Sequence, residues 1–213
     1  MKSKLLVLLC IFVSAGLSAQ IAWVNEFHYD NGGGSDTGEF FEVFVQTGST
    51  LSSLTLSLYR DVGTVYASLT LDTFSTGDSN STGTFYSKLI SGIQNGGADG
   101  WSLSGAGLST QVFSYEGTFT ATEGPANGLS STDIGVEESG STAVGAALGL
   151  TGTGATLAEF SWTADLNDNP GSINLGQSFS GGAIPEPSTY ALIFGGLALG
   201  MVIWKRRRTF DSA

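Results

Sequence analysis

His28 is the only histidine of the chain, and several acidic residues follow it closely. An imidazole beside Asp30, Asp36 or Glu39 could act as a general base, because it exchanges protons near neutral pH. A lone histidine excludes a histidine-rich zinc site, and the chain has no Gly-x-Ser-x-Gly elbow for a serine hydrolase. We therefore predict that His28 makes a structural hydrogen bond near a strand end and that the chain has no catalytic residue.

The loop after His28 has the residue types of a calcium site. Asp30, Asn31, Asp36 and Glu39 supply four oxygen-bearing side chains within ten residues, and the glycines at 32–34 can turn the backbone so that carbonyl oxygens join them. Ca²⁺ takes about six to eight oxygen ligands, so the sequence predicts a weak calcium site here. The spacing is not that of an EF-hand, and a solvated hairpin with Asp and Gly explains the same residues.

Other carboxylates and aromatic residues allow two further interpretations. Glu137 and Glu138, or Glu39 and Glu42, could form a carboxylate pair for glycoside hydrolysis, although spacing in sequence does not give their separation. Alternation places Glu42 opposite its apolar neighbours, which predicts solvent exposure. A carbohydrate-binding platform could use aromatic side chains, but we predict that most of them belong to the core: Trp23, Trp101, Tyr115, Phe119 and Trp162.

The elements that must position these residues are predicted to be strands. Gly, Ser and Thr are abundant, and short apolar stretches recur between turn signals, as in all-β proteins. Leu54, Leu56 and Leu58 alternate with polar residues and should share one buried face. The nine predicted strands span residues 21–27, 39–46, 54–59, 65–71, 84–90, 101–103, 111–115, 157–162 and 173–179. Residues 77–83 and 139–154 are small and polar, which predicts long surface loops or edge strands.

The order of these segments resembles a known domain. Residues 21–27, the stretch Gly-Glu-Phe-Phe-Glu-Val at 38–43 and the strand at 51–59 are similar to the opening of a lamin-tail-like domain. The stretches at 24–31, 92–96, 114–117 and 131–135 resemble a bacterial version found beside secreted nuclease domains. The resemblance implies an immunoglobulin-like β-sandwich over residues 20–180, and it brings no known activity.

Charge limits the partners of this domain. Residues 20–187 contain eighteen acidic side chains against Arg60 and Lys88, a net charge of −16. Nucleic-acid binding depends on Lys and Arg that neutralise phosphates, so we expect no nucleic-acid partner. We expect such an acidic surface to bind cations.

The first nineteen residues have the pattern of a secretory signal peptide. Lys2 and Lys4 precede the apolar run at 5–13, and small residues at 14–19 fit a signal peptidase, with cleavage after Ala19. Export through the Sec translocon is the expected route. The only cysteine, Cys10, lies inside the apolar run, so the mature body should contain neither a disulfide nor a thiolate site.

The C-terminal residues have a three-part order. Pro185, Glu186 and Pro187 lie in a linker at 181–188, an apolar helix is predicted at 189–204, and a basic tail at 205–213 opens with Lys205, Arg206, Arg207 and Arg208. At ~1.5 Å per residue the helix is roughly 24 Å long, a marginal membrane span that the basic residues would stop on the cytoplasmic side.

This order resembles the PEP-CTERM sorting signal of Gram-negative bacteria. The resemblance implies processing by an exosortase, a membrane cysteine transpeptidase, after transit through the inner membrane. It further implies retention at the cell surface or in extracellular polysaccharide. We expect a non-catalytic exported protein; a cation-dependent hydrolase or accessory domain of a secreted nuclease system, and a glycan- or ice-binding module, remain alternatives.

Overall fold

The computed structural model describes residues 21–33, 36–180, 195, 197 and 198. The predicted signal peptide (1–19), the sorting motif Pro185-Glu186-Pro187 and the basic residues at 205–208 lie outside these residues, as does most of the predicted helix at 189–204. No helix among the described residues is long and apolar enough to cross a membrane.

Two β-sheets form the described body, which confirms the all-β prediction. Their strands are β1 Ala22–His28, β2 Phe40–Gln46, β3 Leu54–Tyr59, β4 Val65–Thr70, β5 Ser75–Ser79, β6 Gly83–Leu89, β7 Gly100–Gly105, β8 Leu108–Ser114, β9 Thr132–Asp133, β10 Ala146–Gly154, β11 Ser161–Asn167 and β12 Gln177–Phe179. The first sheet has the strand order β11-β10-β1-β2-β6-β5, with β12 parallel to β10, and the second has the order β4-β3-β7-β8-β9.

The main core contains residues from both sheets. Phe27 on β1 stacks on Phe41 of β2 with ring centroids 5.1 Å apart, and it meets Trp101 of β7 at 4.8 Å. Leu54, Leu56 and Leu58 on β3 are fully buried in the same cluster, as their alternation predicted. This burial of aromatic and aliphatic groups is the dominant stabilising contribution in a body whose described residues contain no cysteine.

The prediction for residues 139–154 is wrong over their second half. Residues 146–154 form β10, which pairs with β1 on one side and β11 on the other, and Ala147, Leu148 and Leu150 are buried. A Cβ on Gly149 would lie 2.6 Å from the Asn174 amide nitrogen, so a small residue is needed for close packing. Low side-chain volume therefore marks a tightly covered strand here rather than a surface loop.

Two smaller differences concern the predicted strands at 157–162 and 173–179. Residues 157–159 form a single 3₁₀ turn, capped reciprocally by Thr156 and Glu159, and β11 begins only at Ser161. Only Gln177–Phe179 of the later segment is a strand. The preceding residues run across the outer face of the first sheet, where they cover two glutamates.

Candidate functional site

His28 is the last residue of β1 and is buried, with an exposed fraction of 1 %. Its Nδ1 lies 2.8 Å from Glu138 Oε1, and its Nε2 lies 2.7 Å from the Asn31 amide nitrogen. That nitrogen also donates to the Thr37 carbonyl at 2.8 Å. Because both ring nitrogens have protein partners in a closed environment, His28 holds the structural position near a strand end that its isolation in the sequence favours.

Glu138 ties the loop before β10 to the end of β1. Its Oε2 accepts hydrogen bonds from the backbone amides of Tyr29 at 2.6 Å and Asp30 at 3.0 Å, while its own amide donates to the Tyr29 hydroxyl. Burial lowers the pKa of His28, but the hydrogen bond and the charge of Glu138 outweigh it and leave the pKa above 6.5. The pair is therefore a buried electrostatic clamp between residues that are 110 positions apart.

Of the four predicted calcium ligands, the structure brings the side chains of Asp30 and Asp36 together. The backbone amide of Asn31 donates to Asp36 Oδ1 at 3.2 Å, and burial together with a hydrogen bond to Asp36 raises the pKa of Asp30. Glu39 is directed elsewhere: its two carboxylate oxygens accept the backbone amides of Gly92 and Ile93, both at 2.7 Å. Any calcium site at this loop would rest on Asp30, Asn31 and Asp36.

The Asn31 side-chain oxygen is buried without a hydrogen-bond partner. Across residues 21–33 and 36–180, however, no three His, Cys, Asp or Glu side chains are placed to hold one metal ion. The calcium site stays a prediction.

Sequence reasoning missed a second carboxylate group, which lies on the outer face of the first sheet. Glu26 on β1 and Glu42 on β2 are paired across the strands, and both side chains have no exposed surface. The predicted solvent exposure of Glu42 is wrong, because residues 168–177 fold over this face. The available signal was one glutamate in each of two stretches that are otherwise rich in large apolar residues, whereas their pairing is visible only in the structure.

The contacts of these glutamates join distant parts of the chain. Glu42 Oε1 accepts the Asn25 amide at 2.9 Å, and its Oε2 accepts the Gly171 backbone amide at 2.5 Å. Glu26 Oε1 accepts the Asn169 backbone amide at 3.2 Å. Burial and the Glu42 charge raise the pKa of Glu26 to about 8, and burial raises that of Glu42 to about 7.

The aromatic side chains considered for carbohydrate binding are mostly core residues. Trp23, Trp101, Tyr115 and Phe119 are at most 5 % exposed. Trp162 is half-buried on the edge strand β11, where it lines an apolar groove with Phe113, Leu150, Leu157, Ala158 and Phe160. The prediction that most of these five residues belong to the core is confirmed.

The chain matches no protein-family model, no curated protein and no solved structure. The fold and the burial of its glutamates define the described body as an all-β protein with two sheets and a buried acidic network.

Proposed function

We propose that this chain is a non-catalytic exported protein with a PEP-CTERM signal. An exosortase processes it at the inner membrane, and the body is then retained at the cell surface or in the extracellular polysaccharide. The observation that carries the proposal is the order of residues 185–208: Pro-Glu-Pro, an apolar run and four basic residues. Each part has a physical purpose, since the prolines keep the linker extended, the run enters the membrane and the basic residues stay on the cytoplasmic side.

Within this proposal the body is an immunoglobulin-like sandwich of the lamin-tail-like type. The two stacked sheets support that assignment, as do the sequence stretches at 24–31 and 38–43. Its role would be that of a stable exported module that carries a strongly acidic surface.

The contacts of the chemically capable residues favour a non-catalytic role over hydrolysis. His28 is closed between Glu138 and Asn31, and both oxygens of Glu39 accept backbone amides. A general base needs access to the proton that it removes. Side chains that hold the backbone in this way stabilise loops instead.

Replacement of Glu186 and Pro187 by alanine tests the sorting proposal. In the native host, the variant should accumulate as a larger species in the inner-membrane fraction, because the exosortase no longer recognises it. The measurement is the mass and the membrane fraction of the protein carrying an epitope tag inserted after Ala19. Gly181→Ala/Gly182→Ala, just upstream, is the matched control and should be processed normally. If the Glu186/Pro187 variant has the mass and location of the wild type, the exosortase proposal is wrong.

A further inference from the structure

The covering segment, residues 168–177, is held to the first sheet by the two buried glutamates. The backbone amides of Asn169 and Gly171 donate to Glu26 and Glu42 respectively. The segment also contacts β5, where Asp78 accepts the Ser172 hydroxyl at 2.9 Å and the Asp78 amide donates to the Gly171 carbonyl at 2.6 Å. Carboxylates at the centre of the sheet are therefore the anchors of the last part of the body.

The two glutamates differ in how their oxygens are satisfied. Both oxygens of Glu42 accept hydrogen bonds, as expected for an ionised carboxylate. Glu26 Oε2, in contrast, is buried and has no donor. Leaving a buried carboxylate oxygen without a donor is unfavourable, because the lost hydration is not replaced by a hydrogen bond.

Two side-chain amide oxygens of the covering segment also lack a hydrogen-bond donor. The side-chain oxygens of Asn169 and Asn174 are buried without donors. Asn169 is the residue whose backbone amide binds Glu26, and the Asn174 amide lies over Gly149, the partner of Glu26 on β10. The network around Glu26 thus contains acceptors in excess and lacks a proton.

We propose that Glu26 is held as a neutral carboxylic acid whose O–H latches the covering segment to the sheet, so that rising pH loosens residues 168–177. The proton on Oε2 supplies the missing donor to an amide oxygen of the segment. It also removes the repulsion that two anions in opposite positions on neighbouring strands would have.

The groups that face the pair favour the protonated form. Glu42 acts on Glu26 from β2, Asp168 acts on it from the covering segment, and Asp78 acts on Glu42 from β5. All three are acidic. The cross-strand neighbours on β10 and β6 are Gly149 and Ser87, which carry no charge.

The direction of the pH dependence follows from linkage. The pKa of Glu26 is about 8 in the folded protein against an ordinary 4.5, so the closed segment binds a proton that the open one releases. Below pH 4.5, the ordinary pKa of glutamate, the hydrogen bond from Glu26 is fully formed. As pH rises from there to the folded-state pKa of about 8, opening of the covering segment becomes roughly tenfold more frequent for each pH unit, and above that pKa its frequency is constant. Glu42 adds to this slope only below its own value of about 7.

Amide hydrogen exchange on the full chain tests the latch. Protection of the Asn169 and Gly171 amides, normalised to the intrinsic exchange rate, should fall roughly fivefold between pH 7 and 8 in the wild type, because the folded carboxyl is itself about half ionised at pH 8. Glu26→Gln keeps a donor in the same place and cannot ionise, so its protection should not change over this interval. Glu137→Gln removes one exposed charge outside the network and should behave as the wild type does. A slope that survives in Glu26→Gln overturns the proposal.

Two further measurements distinguish the latch from simple burial. In Glu42→Gln the new NH₂ group faces a donor in either orientation, because one Glu42 oxygen accepts from the Asn25 side-chain amide and the other from the Gly171 backbone amide. This variant should therefore lower the protection of the covering segment at every pH. In ¹³C-glutamate-labelled wild-type protein, the carboxyl signal that is absent from Glu26→Gln should titrate near 8. Equal effects of the two Gln variants on protection contradict the proposal. The titration is read on the wild-type protein, so it remains a test even if a variant fails to fold: the proposal is contradicted if every glutamate carboxyl titrates near the ordinary value.

Discussion

His28 and Glu138 form a buried pair whose loss should be felt in stability rather than in chemistry. Glu138→Gln leaves the imidazole without its charged partner and the Tyr29 and Asp30 amides with a weaker acceptor. Removal of one member of a buried pair costs about 3–5 kcal/mol, so we expect a loss of that size in the free energy of unfolding. Urea denaturation at pH 6 measures it, and a loss below about 1 kcal/mol would place the pair among weak surface contacts.

The pair should also have a pH signature. The pKa of His28 is raised in the folded protein, so its contribution is fully present below the unfolded value of 6.5 and is lost as pH rises through the folded value. The difference in unfolding free energy between wild type and His28→Gln should therefore shrink from pH 6 to pH 8.5. The Glu26 effect is common to both proteins and cancels. A constant difference would mean that folding leaves the pKa of His28 unchanged, and a difference that grows with pH would mean that the folded imidazole is neutral.

Strand β3 provides the most direct test of the sheet register. It lies between β4 and β7, with Leu56 fully buried and Thr55 only half-buried on the other side. A carboxylate at Leu56 would be buried without a partner, at a cost of several kcal/mol against a typical total stability of about 5–15 kcal/mol. Leu56→Asp should unfold the body, whereas Thr55→Asp should keep a cooperative thermal transition by circular dichroism. Equal melting temperatures for the two variants would mean that the register is wrong.

The body should fold without the residues that follow it. The described residues up to Ser180 make one compact unit, and among the described residues the three apolar clusters draw their members from 21–179. A protein of residues 20–180 should therefore melt in one cooperative transition within a few degrees of the full chain in detergent. A melting temperature lower by more than about 8 °C, equivalent to about 2–4 kcal/mol for a domain of this size, would show that the later residues contribute to the fold.

Much of the fold was predictable where large apolar side chains alternate with polar ones. Leu54, Leu56 and Leu58 defined β3 and its buried face, and the aromatic residues of β1 and β2 marked the core. Strand β10 was not predictable in this way, because its alanines and glycines give no periodic signal. Close packing selects small residues there, and that requirement is visible only when the Asn174 side chain lies over Gly149.

The sequence by itself determined the all-β class, the acidic body and the three-part order at 185–208, since each of these depends on composition or on neighbours along the chain. Tertiary structure alone decided the state of the carboxylates. Periodicity places Glu26 and Glu42 on one face of a sheet, but it cannot tell what covers that face. The cover comes from Asn169, 143 residues after Glu26, just as the partner of His28 comes from a loop 110 residues away. Burial by such distant segments, rather than local spacing, makes one glutamate an anchor for backbone amides and gives its neighbour an oxygen without a donor.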